Sequence, residues 1–217
     1  VGLYLLYFYT DIVGISPYLA GWIYALGIAW DAVTDPFMGY LAERTSSPRG
    51  RYRPYILFGT IPLALSFVLL FWVPPLEGIS LFLCLVVINV FHRTCFTIVS
   101  VPYSSLTPRI TSDSEERTKL TTARMIGASF GTLLMSSLGF PIINFFGQND
   151  ESLGIIYLSF ISASIAVVIL YFTYWSVKES STEEIKKTYP SVSKLISSIL
   201  INYPFWIVFS SILILGS

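Results

Sequence analysis

Apolar positions fall along this chain in long blocks separated by short, turn-rich breaks, a pattern that predicts helices rather than strands. The blocks cover 17–42, 55–74, 80–107, 119–146 and 153–177, with a partial first block near 1–10 and a cut-off seventh from 203. Each complete block reaches the roughly 20 residues that a helix needs to cross a ~30 Å hydrocarbon layer. Gly14-Ile15-Ser16-Pro17, Pro74-Pro75 and Gly147-Gln148-Asn149-Asp150 mark breaks, since these residue types favour turns. The pattern predicts an all-α integral membrane protein. It divides into a transmembrane bundle over 1–177, a Ser-, Lys- and Glu-rich linker over 178–202, and the start of a second bundle over 203–217. The chain opens at Val1 inside an apolar block without the marks of a signal peptide, and it looks truncated at both ends.

Composition strengthens this reading. Apolar and aromatic residues make up 54% of the chain and charged residues only 12%, against about 25% charged in an ordinary soluble domain. The formal net charge is zero, which offers no basic surface to nucleic acid. Cys84 and Cys95 lie about three helical turns apart in one block, too far for a disulfide. With one histidine they form no metal-ligand cluster, so no cofactor or resident metal is expected.

The placement of charge orients the segments. Arg44, Arg49, Arg51 and Arg53 follow the second block, Arg109, Arg117 and Lys119 the fourth, and Lys178, Lys186, Lys187 and Lys194 the sixth. These basic breaks fall on one side of the membrane and read as cytoplasmic. Arg93 and Arg124 are the two cations left inside segments, where ionisable residues are costly and usually mark a site.

Two polar groupings stand inside the membrane. Asp31, Thr34 and Asp35 share one helix face by their i, i+3, i+4 spacing. Asp31 lies roughly 18 Å and Asp35 roughly 12 Å above the cytoplasmic boundary near Glu43. Two carboxylates so close in a low dielectric need a bound cation, a proton or an arginine to remain charged. The alternative is a permanent link to a neighbouring helix. Pro36 also frees the carbonyl of Ala32 from the helix ladder. On the fourth block Asn89, Arg93, Thr97, Ser100, Ser104 and Thr107 fall within a sector of about 80°. This stripe lines a cavity or packs against another helix.

Arg93 sits roughly 24 Å from the cytoplasmic boundary, about 6 Å above Asp31, within reach of an extended side chain. It is therefore expected either to counter the acids or to hold an anionic group of a solute. Arg124 lies near the boundary, where it can also snorkel to water. Gly127 and Gly131 have a spacing suited to close helix packing, and His92, off the stripe, reads as a packed residue.

Ordered motifs then resemble a known family. Trp30-Asp31-Ala32-Val33-Thr34-Asp35-Pro36-Phe37-Met38-Gly39-Tyr40-Leu41 resembles a signature of the melibiose-permease-like glycoside–pentoside–hexuronide:cation symporters. Glu43-Arg44-Thr45 and Arg49-Gly50-Arg51-Tyr52-Arg53-Pro54 resemble its loop after helix two, and Val101-Pro102-Tyr103-Ser104-Ser105-Leu106-Thr107-Pro108 and Glu116-Arg117-Thr118-Lys119-Leu120 resemble its segment around helices four and five. The resemblance implies the N-terminal six-helix bundle of a major-facilitator-type transporter plus the start of helix seven. It also implies cation ligands at Asp31 and Asp35, a nearby threonine at Thr97, and a sugar-side arginine at Arg124. The chain departs from the pattern at Ser100 and Ser104, where the family's sugar binders carry an aspartate and a tryptophan.

The expected function is cation-coupled symport of a sugar or glycoside by alternating access, with no enzymatic step. Asp31, Asp35, Thr34 and Thr97 are expected to hold Na⁺ or H⁺, while Arg93, Ser100, Ser104 and Arg124 face the solute. The expected partners are a small solute, membrane lipid and the other half of the same protein, in a plasma membrane such as the bacterial inner membrane. A carrier of a lysolipid or anionic metabolite, or a transporter-like sensor, are the alternatives.

Overall fold

The computed structural model describes residues 2–111, 113–148 and 150–177. The expected linker at 178–202, its lysines and the seventh segment from 203 lie outside the described residues.

Helices form at each of the first six predicted places, and the described residues contain no strand. Helix α1, Gly2–Tyr7, runs into a π-helical stretch, Phe8–Ile12. Then come α2 (Pro17–Arg44), α3 (Arg53–Leu69), α4 (Gly78–Ile110), α5 (Ser114–Gly147) and α6 (Glu151–Ser176). Local chemistry explains their starts. Ser16 caps α2 by accepting from the Leu19 amide, and Pro17 takes the first helical position, where a missing N–H costs nothing. Asp150 caps α6 by accepting from the amides of Ser152 and Leu153.

Two boundaries differ from the apolar pattern. α3 ends at Leu69 instead of 74, because Pro74-Pro75 cannot continue a helix and biases the residues before it. The chain closes there with short bonds from Phe71 to Val68 and from Trp72 to Leu69. α5 starts at Ser114 instead of 119, capped by Asp113, whose side chain accepts from the Glu115 amide. Glu115 and Glu116 suit the positive end of the helix dipole, so a polar turn extends the apolar block.

Among the described residues, α5, α6 and the Gly78–Thr107 part of α4 are long and apolar enough to cross a membrane, while α3 is a shorter apolar helix. α2 has the length, at 28 residues or about 42 Å, but its acids, glycines and prolines dilute its apolar character.

The main helix pairings are α2 with α4, α4 with α3, α3 with α6, and α6 with α5. Two apolar clusters brace this arrangement at different levels. One joins Leu5, Phe8, Ala20, Ile23, Leu70, Leu85, Ile88, Ile143 and Ile155; the other joins Met38, Ala42, Tyr52, Ile56 and Leu106. Along α2, α3 and α4 the polar residues occupy the interval between these clusters. Asp31 and Asp35 follow Ile23 and precede Met38, while Arg93 and Thr97 follow Ile88 and precede Leu106. The candidate site is thus a polar layer held between two apolar ones.

Glycines allow the close helix approaches, but not at the expected pair. No described atom lies within 4 Å of a Cβ added at Gly127 or Gly131, so the packing expected there has no partner among the described residues. Close approach occurs instead at Gly154, where an added Cβ would collide with the Ile143 carbonyl of α5, and at Gly59, where it would meet Val99 of α4. The reason lies in position along the helix: residues 122–134 of α5 are exposed on every face, while Gly139, Ile143 and Gly147, nearer its end, are buried against the bundle.

Candidate functional site

α2 and α4 run in the same direction, and their polar faces meet in successive rungs. Asp31 pairs with Arg93 through Oδ2 and Nη1. One turn further on, the Thr97 hydroxyl donates to Oδ1 of Asp35 at 2.7 Å. The Trp30 indole N–H donates to the Thr94 hydroxyl at 2.9 Å. The constant register between 31/93 and 35/97 follows from parallel helices with the same rise per residue. An i, i+4 pair of acids on one helix therefore meets an i, i+4 pair of partners on the other.

Arg93 is seated by more than its acid. Its Nε donates to Oδ1 of the buried Asn89 at 3.3 Å, and its guanidinium lies 5.2 Å from the centre of the Tyr24 ring. Gly27 makes room for it, since a Cβ at that position would collide with Arg93 and Asn89. The arginine side chain is 18% exposed and Asp31 25%. The second oxygen of Asp31, Oδ1, is buried without a hydrogen-bond partner. Buried acceptors are nearly always satisfied, so such an atom is suited to an arriving ligand.

The two acids differ in surroundings. Asp31 is half-buried and bonded to an arginine, whereas Asp35 is exposed and takes a single neutral donor. Thr97 itself is buried. Thr34 is half-buried, and its hydroxyl donates to the Trp30 carbonyl at 3.1 Å, which leaves its oxygen lone pairs to accept.

The four residues expected to face the solute are not brought together. Arg93 joins the acids, while Ser104 lies about 16 Å further along α4 and accepts from Nη1 of Arg124 at 3.4 Å. Both members of that second pair are exposed, and half-buried Ser100 stands on α4 between Thr97 and Ser104. The hydroxyl stripe thus divides by level, one part facing α2 and the other α5.

His92 lies off the stripe, its Nδ1 3.1 Å from the Ser66 hydroxyl and its ring against Phe67. His92, Asn89 and Arg93 also line one wall of a mostly apolar cavity of about 360 Å³, whose other walls come from α1, α2, α3 and α6. Cys84 and Cys95 are free thiols.

Gly27 and Tyr24 were not singled out from the sequence, although a signal was present. Gly27 precedes Asp31 by four residues and Tyr24 by seven, the spacings that continue one helix face. Their role becomes visible only once α4 is placed against that face.

Comparison with known proteins places the chain in a family. The family described as MFS/sugar transport protein matches residues 1–215. The chain is 34% identical over 182 residues to the putative glycoside/cation symporter YagG of Escherichia coli (strain K12), covering 84% of this chain and 40% of that relative. It is 30% identical over 219 residues to the isoprimeverose transporter of Lactiplantibacillus pentosus, covering 95% and 46%. It is 38% identical over 146 residues to the sodium-dependent lysophosphatidylcholine symporter 1-A of Danio rerio, covering 66% and 27%. The chain thus spans less than half the length of each of these relatives. It belongs to the MFS/sugar transport family, among the glycoside–pentoside–hexuronide:cation symporters of the major facilitator superfamily, and is an integral multi-pass membrane protein.

Proposed function

We propose that the protein is a secondary active transporter which couples the downhill movement of Na⁺ or H⁺ to transport of a sugar or glycoside. The observation that carries this reading is the α2–α4 polar layer, where two acids within the membrane meet Arg93 and Thr97. Asp35, Thr97, Thr34 and the free oxygen of Asp31 supply the hard oxygen ligands that suit a small monovalent cation. Ser100, Ser104 and Arg124 form the solute side, with Arg93 engaged by Asp31. Two bundles rocking about a site near the midplane would give alternating access, so the complementary half of the transporter is a required partner. A bacterial inner membrane is the proposed location, in keeping with the bacterial relatives.

A second reading keeps the mechanism and changes the solute. Arg124 beside Ser104 suits a phosphate or carboxylate as well as a hydroxyl. The resemblance to lysophosphatidylcholine symporters supports a lysolipid or another charged solute as the alternative.

The test is uptake by the complete gene product in proteoliposomes, across a sugar panel and a lysolipid, under Na⁺ and H⁺ gradients. Asp31→Asn and Asp35→Asn should each abolish uphill accumulation, while at least one keeps some solute binding. Accumulation with native ion dependence in both variants would reduce the acids to helix-packing groups. Binding without counterflow would instead make the protein a sensor.

A further inference from the structure

We infer that Arg93 is a tethered cation. It holds Asp31 and sets the net charge of the polar layer to a value matched by one mobile monovalent cation at Asp35 and Thr97. This rests on the symport reading above and deepens it by naming what limits the number and affinity of the mobile charges.

The first support is that the seat of the arginine is built. A guanidinium at this depth is costly unless it is paired. Here it has a carboxylate on α2, a buried amide acceptor in Asn89 and the face of the Tyr24 ring. It also has a gap in α2 that only Gly27 leaves open. An arginine that merely passed Asp31 on its way to a solute would need none of these.

The second support is charge. With both acids ionised, Asp31, Asp35 and Arg93 together carry a single negative charge, which one Na⁺ or proton cancels. Without Arg93 the same layer would carry two negative charges, and a cation would bind to a stronger field. The third support is the unequal state of the acids. The bond from Arg93 occupies one oxygen of Asp31, while Asp35 keeps an exposed carboxylate held by a neutral hydroxyl. The unpartnered Oδ1 of Asp31 then offers the incoming cation an oxygen on an acid whose charge is already balanced.

The experiment titrates Na⁺ and Li⁺ against solute binding in the complete gene product, using native protein, Arg93→Gln, Asp31→Asn, the double variant and Gly27→Ala. Arg93→Gln should lower the half-saturating Na⁺ concentration by roughly tenfold or more. Gly27→Ala, which displaces the side chain, should shift it in the same direction. Asp31→Asn leaves Arg93 unpaired beside Asp35 and should raise that concentration. The double variant, with the pair removed as a unit, should return towards the native value and should fold better than either single variant.

An Arg93→Gln protein that loses solute binding with an unchanged ion response overturns the inference and moves Arg93 to the solute site. A double variant that neither folds nor responds better than the single ones overturns it as well. If native protein and every variant show no ion response at all, the symport reading itself fails. A native response untouched by Arg93→Gln or Gly27→Ala defeats only the tethered-cation inference.

Discussion

Asp35 and Thr97 show how a neutral side chain can shape an ionic site. The hydroxyl of Thr97 is buried and donates to a carboxylate that the rest of the chain leaves exposed, so it fixes one oxygen while the other remains accessible. A hydrogen bond to a charged group is worth about 1.5–3 kcal/mol. Thr97→Ala removes that bond and an oxygen ligand together, and should raise the half-saturating Na⁺ or Li⁺ concentration by about tenfold. Thr97→Ser should recover most of the loss. A fall in the alanine variant would show that Thr97 competes with the cation. The acids, the threonine and the arginine were all legible as intramembrane polar residues. Their pairing was not, because helical spacing groups residues on one helix and says nothing about which neighbour that face meets. Arg93 could be read either as counter-ion or as solute ligand until α4 was set beside α2.

Whole helices bring those residues together, and small residues set how closely the helices approach. Gly154 lies where the α6 backbone meets the Ile143 carbonyl of α5, a contact that no side-chain rotation can relieve. Gly154→Ala should therefore destabilise the bundle by about 1–3 kcal/mol, as overpacking does. Gly131→Ala, in a stretch where no described atom stands within 4 Å, should change stability by no more than about 0.5 kcal/mol. Thermal unfolding of the two variants in the same detergent compares them directly, and an equal loss would place a close neighbour against Gly131. The two positions look alike in sequence, each a glycine within an apolar helix. Spacing revealed which glycines could pack, but which stretch of each helix lies against a described neighbour decided which of them do.

At the scale of the molecule, the helix ends divide the charge. The ends of α2 and α4, the starts of α3 and α5 and the loop between α2 and α3 carry Arg44, Arg49, Arg51, Arg53, Arg109, Arg117 and Lys119, and a cross-link ties that side together. Arg53 at the start of α3 donates to the Tyr174 carbonyl near the end of α6 at 2.8 Å, with its guanidinium 4.6 Å from the centre of the Tyr174 ring. On the opposite side the Tyr7 hydroxyl donates to Glu151 at 2.6 Å, joining α1 to the start of α6. Ser47→Cys should accordingly react with an impermeant thiol reagent only from the cytoplasmic face, and Gln148→Cys only from the outside. Labelling of both from one face would require a different number of crossings between them.

The sequence by itself determined that this is a multi-pass helical membrane protein, and it carried the expectations of which way round it sits and which polar residues lie within the membrane. Length, apolar content and the placement of basic loops act locally or through the bilayer, so they need no partner helix to be read. The tertiary structure alone decided that Arg93 meets Asp31, that Asp35 meets Thr97, and that Arg124 meets Ser104 away from both. It also decided that Gly27 seats an arginine while Gly127 and Gly131 seat nothing among the described residues. Each of these depends on the rotation and register of one helix against another. Those are set by interlocking shapes across the whole bundle, a property that no single segment contains.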